Sequence, residues 1–395
     1  MSRLHFDRHE LAGGLGDAGL LIPIAIALIT LNGLNATAVF AVTGLVYIGT
    51  ALYFRVPVPV QPLKAFAAAA IALGLSAETL AAGGLLMAAA MAALAATGAA
   101  GWLAARFPVV LVRGIQASVA LLLAKAAVEL AQDGNWAGLS PIDPSLSVAV
   151  ALSACAVLFL SRRTALPGTI VVLGAGIVIG VAASGLPGDL SPGPQPIGLS
   201  MPDGAAFAAA LTALVIAQIP LTFGNSIVAT VDAERNYFGE RAERVRPNRL
   251  AASIATANVA AGLSGGLPVC HGAGGVTAHY KLGARTAGAT LSVGAILLIA
   301  GIGFGESLPA VLMMLAPGAL AGMLLYVALQ HGLLAAQLER LDDRLIAAGV
   351  GLVTILAGNL AIGFAAGIAT LALRAALVRA RRGIRAAAPR PSEPS

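Results

Sequence analysis

Val56-Pro57-Val58-Pro59-Val60-Gln61-Pro62-Leu63-Lys64-Ala65 and Gly266-Leu267-Pro268-Val269-Cys270-His271-Gly272-Ala273-Gly274-Gly275-Val276 are the two stretches on which the fold turns. Pro57 and Pro59 forbid helix and favour an extended crossing. Pro62 suits the first position of a helix with Gln61 as its cap, leaving the amides of Leu63 and Lys64 free along the axis. In the second stretch the extended part ends near Cys270. The amides of Gly272, Ala273 and Gly274 then open a helix with no bulky side chain over them. The helices that follow, 62–74 and 271–282, are too short to span a bilayer, which takes about 20 residues.

The surrounding chain is that of an integral membrane protein. Of its 395 residues 58% are apolar, 47 more are glycine and only 11% are charged, where a globular protein carries roughly 25%. Mean hydropathy is +0.89. So few charges cannot cover that much apolar surface in water. Soluble enzymes, nucleic-acid binders and disulfide-stapled secreted domains are therefore excluded. Long Ala/Leu/Val/Gly runs without alternating polarity favour helices over a barrel. Cys155 and Cys270 both lie in apolar segments, so no disulfide framework is indicated. Met1 to Glu10 is polar and the first apolar run is long, so no cleavable signal peptide is expected.

Breaks at Gly, Pro and charge clusters divide the chain into fourteen expected helical segments. They are 11–32, 36–54, 62–74, 78–99, 108–131, 147–161 and 168–185, then 205–231, 249–265, 271–282, 285–304, 307–331, 345–357 and 359–378. With a cytoplasmic N-terminus and strict alternation, every one of the 24 Lys and Arg except Lys64, Arg113 and Lys125 falls in an inside loop. The outside loops and helix ends carry Glu78, Asp133, Asp143, Asp189, Asp203 and Glu306. That is the positive-inside rule, and one miscounted segment would break it. Both termini are thus expected inside, and a cysteine at Asp189 should label only from outside.

Seven segments per half is odd, so the second half must be inverted relative to the first. Weak internal matches agree: 58–62 with 267–271, Pro23 with Pro220, and 107–111 with 308–312. The expected architecture is an all-α polytopic membrane protein of 14 transmembrane segments in two inverted repeats of seven. Residues 1–185 form the first repeat, 186–204 an extracellular linker, 205–378 the second repeat and 379–395 a disordered basic cytoplasmic tail. The short third segment of each half starts near the midplane, so the two N-termini face each other there. Matched Pro/Gly-interrupted short segments point to the substrate site of a secondary transporter. Two helix N-termini make a preformed anion site.

Phe40-Ala41-Val42-Thr43-Gly44-Leu45-Val46-Tyr47-Ile48-Gly49-Thr50, followed by 57–65, resembles the first signature of the molybdate transporters related to sulfate permeases. The run from Pro268 to Arg285 is similar to the second. Ile219 to Ser226 and Val112 to Gln116 resemble further segments of that family. The resemblance spans about Leu11 to Leu373. It implies the seven-plus-seven fold divided into interleaved core and gate domains, and transport of a tetrahedral oxyanion by alternating access. Molybdate is the expected substrate. Sulfate, another oxyanion or a nucleobase is the alternative within the fold, and a homodimer is the assembly to test.

Lys64 is costly in hydrocarbon unless paired or hydrated. It either balances a dianion or snorkels to the inner surface. His271, at the mouth of the second short helix, is a candidate ligand for an oxyanion oxygen or a proton carrier. His279 and His331 are expected to be structural. Gln218, Thr222, Asn225 and Ser226 share one helix face loosened by Pro220 and Gly224, and either line the site or act as helix–helix glue. Asp17, among Gly13, Gly14, Gly16 and Gly19, either relays protons or, more simply, caps a frayed helix start near the cytoplasmic surface. The expected substrate ligands are therefore Gln61, Leu63, Lys64, Gln218, Thr222, Asn225, Ser226, His271, Gly272, Ala273 and Gly274. His271 and Asp17 are the proton-coupling candidates.

Arg113 is expected to snorkel inward, and Lys125 to pair with Glu129. Gly262-Leu263-Ser264-Gly265 fits the GxSG of intramembrane serine proteases, a four-residue match with little specificity. No Walker A sequence or metal-ligand cluster appears. The expectation is a transporter rather than an enzyme. It has no cofactor, no metal and no nucleic-acid partner, and sits as a multi-pass protein of the cell (inner) membrane.

Overall fold

The computed structural model describes residues 4–100, 102, 108–133, 143–161, 168–186 and 190–387. Each of the fourteen expected segments holds helix. In the first half these are α1 (Arg8–Gly14) and α2 (Ala18–Asn32), α3 (Ala36–Phe54), α4 (Lys64–Leu73), α5 (Ala77–Thr97), α6 (Val109–Asp133), α7 (Pro144–Ser161) and α8 (Gly168–Ser184). In the second half they are α9 (Gly204–Ala242), then α10 (Pro247–Ser264), α11 (Ala273–Leu282), α12 (Gly288–Phe304), α13 (Leu308–Met313), α14 (Pro317–Ala335), α15 (Leu341–Ala357) and α16 (Leu360–Ala387). Among the described residues 7 helices are long and apolar enough to cross a membrane, and the bent α1–α2 pair makes up to 8. The helices α4, α8 and α12 are apolar but shorter.

Four expectations on boundaries are corrected. The short helices begin at Lys64 and Ala273 rather than at 62 and 271, because the preceding residues pair as strands. These are β1 (Gln61–Pro62) and β2 (Val269–Cys270), antiparallel with Gln61 opposite Cys270 and Pro62 opposite Val269. The segment 307–331 is two helices, because Pro317 starts α14 at a position where its missing N–H costs nothing. The expected disordered tail is helical as far as Ala387, as its Ala- and Arg-rich sequence favours; 388–395 lie outside the described residues. The α1–α2 pair bends by 51° between Arg8–Asp17 and Leu20–Asn32, just past the 3-10 turn Leu15–Asp17.

The helices pack in two groups. In one, α3 lies against α12 and α5 against α10; in the other, α6 and α7 lie against α14, and α15 against α6 and α16. The α3–α12 crossing needs small residues. A Cβ on Gly44 would lie 2.7 Å from the Gly294 carbonyl, and one on Gly294 would lie 2.8 Å from the Gly44 carbonyl. The groups meet where α4 packs on α6 and α2 on α14.

Past Asp189, which lies outside the described residues, the linker is irregular yet tightly held at one end of the bundle. Gln195 N–H donates to Thr37 Oγ1 (2.7 Å), and Asn35 Nδ2 donates to the Pro196 carbonyl (2.8 Å). Asp203 N–H donates to Glu78 (3.0 Å). The opposite end gathers the basic loops. There Arg244 donates to the Tyr53 carbonyl, Glu10 accepts from the amides of Arg285 and Thr286, and Arg374 bridges Asp342 and Asp343. Asp342 is half-buried, and its Arg340 partner holds its carboxyl below the usual range. The Lys125–Glu129 pair forms at 2.6 Å, is exposed, and contributes little to stability.

Candidate functional site

The prolines do what their chemistry dictates. With no N–H at 57, 59 and 62, the chain leaves α3 through Arg55 (φ 63) and runs extended to β1. The two strands lie side by side, so the starts of α4 and α11 are neighbours. Asn258 on α10 fixes β2. Its Nδ2 donates to the Val269 carbonyl (2.6 Å) and its Oδ1 accepts the Val269 amide (3.1 Å). Asn258→Ala would strand both backbone groups in a buried place. It should lower stability by about 2 kcal/mol, read as the thermal unfolding midpoint in detergent; an unchanged midpoint would mean that β2 is held otherwise.

Gln61 does not cap α4. The cap residue is Leu63, whose own amide donates to the Pro268 carbonyl (3.0 Å) and so is not free. Gln61 instead bridges two charged side chains. Its Nε2 donates to Asp17 Oδ1 (2.7 Å) and its Oε1 accepts from Lys64 Nζ (2.5 Å). All three side chains are buried. Asp17 is therefore no cap near the surface. The helix break at Leu15–Asp17 and the glycines around it let α1 approach the segment that holds α11, where a Cβ on Gly13 would lie 2.7 Å from Ala284 Cα. The second carboxylate oxygen of Asp17 has no partner among the described residues. Lys64 is held inside and does not snorkel.

The start of α11 is built for close approach and left open. Gly272 has an extended backbone (φ −165) that any residue could adopt, so its requirement is space. A Cβ there would overlap Gln61 Oε1 and stand 3.3 Å from Asn225 Nδ2. One on Gly275 would lie 2.7 Å from Pro59 Cβ. Gly274, by contrast, is exposed with nothing within 4 Å of a Cβ. No hydrogen bond engages the amides of Gly272, Ala273 and Gly274 among the described residues, because the first helical bonds start from Gly275 and Val276. At the start of α4 the amide of Phe66 is taken by Gln218 Oε1 (3.0 Å).

That bond ties α9 to α4 through Gln218, whose Nε2 also donates to Thr222 Oγ1 (3.0 Å) one turn along α9. Asn225 is half-buried with its amide toward Gly272, and Ser226 is buried beside it. This part of α9 is loosened as Pro220 and Gly224 suggest. The stretches Leu211–Val215 and Thr222–Val228 are π-helical, on either side of Pro220.

His271 is satisfied at both nitrogens. Nδ1 is 2.8 Å from the Pro59 carbonyl and Nε2 is 3.1 Å from Ser253 Oγ. The ring thus donates from Nδ1 and accepts at Nε2, and in this conformation no nitrogen is left for a substrate oxygen. His279 is buried 3.3 Å from the Pro57 carbonyl, and His331 is buried too. Cys270 is a free thiol, buried, with Sγ 3.6 Å from the Pro62 carbonyl. Arg113 is half-buried and donates to Gln116 (2.9 Å) and Gln337 (3.2 Å). Ser264 donates to the Ala260 carbonyl of its own helix (2.7 Å), a helix-end bond rather than a nucleophile's setting.

Sequence reasoning missed Ser253, Asn258 and Glu234. The first two stand out only as polar residues in the apolar run of α10. Glu234 is fully buried on α9 with both oxygens unpartnered among the described residues, and its signal was an acid on the face shared by Val231 and Phe238.

The chain is similar to Molybdate transporter 2 of Arabidopsis thaliana, 27% identical over 91% of this chain and 85% of that one. It is similar to Molybdate transporter 1 of Chlamydomonas reinhardtii, 27% identical over 80% and 82%. Two solved structures share its fold. The transmembrane domain of a cyanobacterium bicarbonate transporter, BicA, aligns with TM-score 0.64 at 19% identity over 93% of this chain and 99% of that one. Murine Slc26a9 in its inward-facing state aligns with TM-score 0.62 at 16% identity over 95% and 70%. The fold is therefore the nearly all-helical inverted-repeat architecture of these transporters. The sequence model described as "Molybdate transporter of MFS superfamily" matches residues 9–123 and 198–330, which carry both short helices and the Asp17–Gln61–Lys64 bridge, and the chain belongs to that family.

Proposed function

We propose that the protein is a secondary active transporter of a tetrahedral oxyanion, with molybdate as its substrate, held at the open start of α11 and moved by alternating access. The observation that carries this reading is the set of unengaged amides at Gly272, Ala273 and Gly274 beside the buried ammonium of Lys64. Amides at a helix start donate to anion oxygens without a desolvated counter-ion of their own. Asn225 is placed to donate a further bond. Gln61 and His271 act by positioning: one holds Lys64, the other locks β2 to α10. In this reading the α3–α5 and α9–α12 group is the core that carries the substrate, and the α6–α8 and α14–α16 group is the gate. Both termini lie on the cytoplasmic side.

Charge suggests how a proton would couple. Two helix ends contribute roughly +0.5 each and Lys64 adds one more. With Asp17 ionised the site sums to about +1, and with Asp17 protonated to about +2, which matches a dianion. Proton and dianion would then favour each other's binding. Asp17→Asn should bind molybdate as well as the parent does at low pH and should lose the parent's weakening as pH rises. A pH series of binding titrations reads this; an unchanged pH dependence in Asp17→Asn would remove Asp17 from coupling.

The test of function is uptake by the purified protein in proteoliposomes. Saturable accumulation of molybdate against its gradient, competed by tungstate and not by uracil, is expected. Accumulation of uracil instead would replace the reading with the nucleobase alternative. Non-saturable flux only down the gradient would make it a channel.

A further inference from the structure

Away from the half-helices, the basic end of the bundle holds a cavity of about 700 Å³ lined by Gly98, Arg235, Glu243, Arg246, Asn248 and Arg249. That is within the roughly 300–1,000 Å³ of ligand pockets. Three arginines, from α9 and the start of α10, line it with a single carboxylate among the described residues. None of the three makes an ion pair among the described residues. Arg246 Nε donates only to the Glu243 carbonyl (3.1 Å), and Arg249 is half-buried. Arg235 and Arg246 are exposed and Arg249 is half-buried, and all three line one concavity whose described residues carry excess positive charge.

We propose that this cavity is a binding site for a phosphate-bearing anion on the cytoplasmic side, separate from the transport site. Guanidinium forks match phosphate oxygens two at a time. A basic pocket between helix ends at a membrane surface is placed to take an anionic lipid headgroup, and the same chemistry would take a soluble phosphate compound. The cavity shares an element with the transport site: Arg249 precedes Ser253 by one helical turn on α10, and Ser253 holds His271. Occupancy there bears on the element that positions β2.

Asn248 is exposed in the cavity wall, so Asn248→Cys reports occupancy. Its modification by a neutral maleimide is followed on the peptide carrying position 248, apart from buried Cys155 and Cys270. One arm adds pyrophosphate to the full chain in a neutral detergent. The other compares phosphatidylcholine vesicles with and without phosphatidylglycerol. Slowing of about fivefold or more in either arm, lost in Arg235→Gln/Arg249→Gln, is the expected result. The arm that slows identifies the source of the phosphate. Equal rates in both arms, or slowing that persists in the double variant, would overturn the site.

Discussion

Gly272→Val should reduce molybdate binding about a hundredfold, close to 2.8 kcal/mol, in a protein that still folds. Its backbone suits valine, but the added carbons would occupy the place of Gln61 Oε1 and stand against Asn225. Gln61 would have to move, releasing Lys64 and Asp17 from their bridge. Overpacking of this kind costs roughly 1–3 kcal/mol in stability, so the binding loss must be read beside the unfolding midpoint. Gly274→Ala is the control for space rather than strain. Its Cβ meets no protein atom within 4 Å, so stability should be unchanged while binding falls, because the methyl group enters the space assigned to substrate. Full affinity in Gly274→Ala would mean that the anion lies elsewhere.

Lys64→Ala should weaken oxyanion binding at least tenfold, about 1.4 kcal/mol. It removes the nearest full positive charge to the helix ends and leaves the Gln61 carbonyl oxygen without its donor. Asp17 then stands uncompensated in a buried place, so Lys64→Ala should also lower the unfolding midpoint. Lys64→Met/Asp17→Asn should recover the midpoint and not the affinity. That split separates charge at the site from packing around it. Equal affinity of Lys64→Ala and the parent, in a monodisperse sample, would leave Lys64 with a structural role alone.

The features set by backbone chemistry were legible in the sequence. Prolines at 57, 59, 62 and 268 and the glycines at 272, 274 and 275 announce an extended entry and an open helix start whatever the rest of the chain does. Breaks at Gly, Pro and charge clusters announced where helices lie. What the sequence hid was long-range side-chain geometry. Asp17 reads as a cap because its partner Gln61 is 44 residues away and reaches it only through the break at Leu15–Asp17. His271 reads as a ligand because nothing in its neighbourhood of sequence reveals that Ser253 and Pro59 use both nitrogens. Gln218 and Thr222 share a face with Asn225, yet only packing shows that Gln218 is engaged by the start of α4 and Thr222 by Gln218. Periodicity assigns a face and leaves open which of its polar groups are already engaged.

In the proposed site the substrate's oxygens would meet the amides that open α11 beside Lys64. Anomalous scattering at the molybdenum edge, from crystals of the full chain grown with molybdate, locates the metal atom directly. The account predicts one peak within hydrogen-bonding reach, through its oxygens, of the Gly272, Ala273 and Gly274 amides, and no peak there in Gly274→Val. A peak on the Gln218 to Ser226 face away from those amides, or one that survives in Gly274→Val, would contradict it.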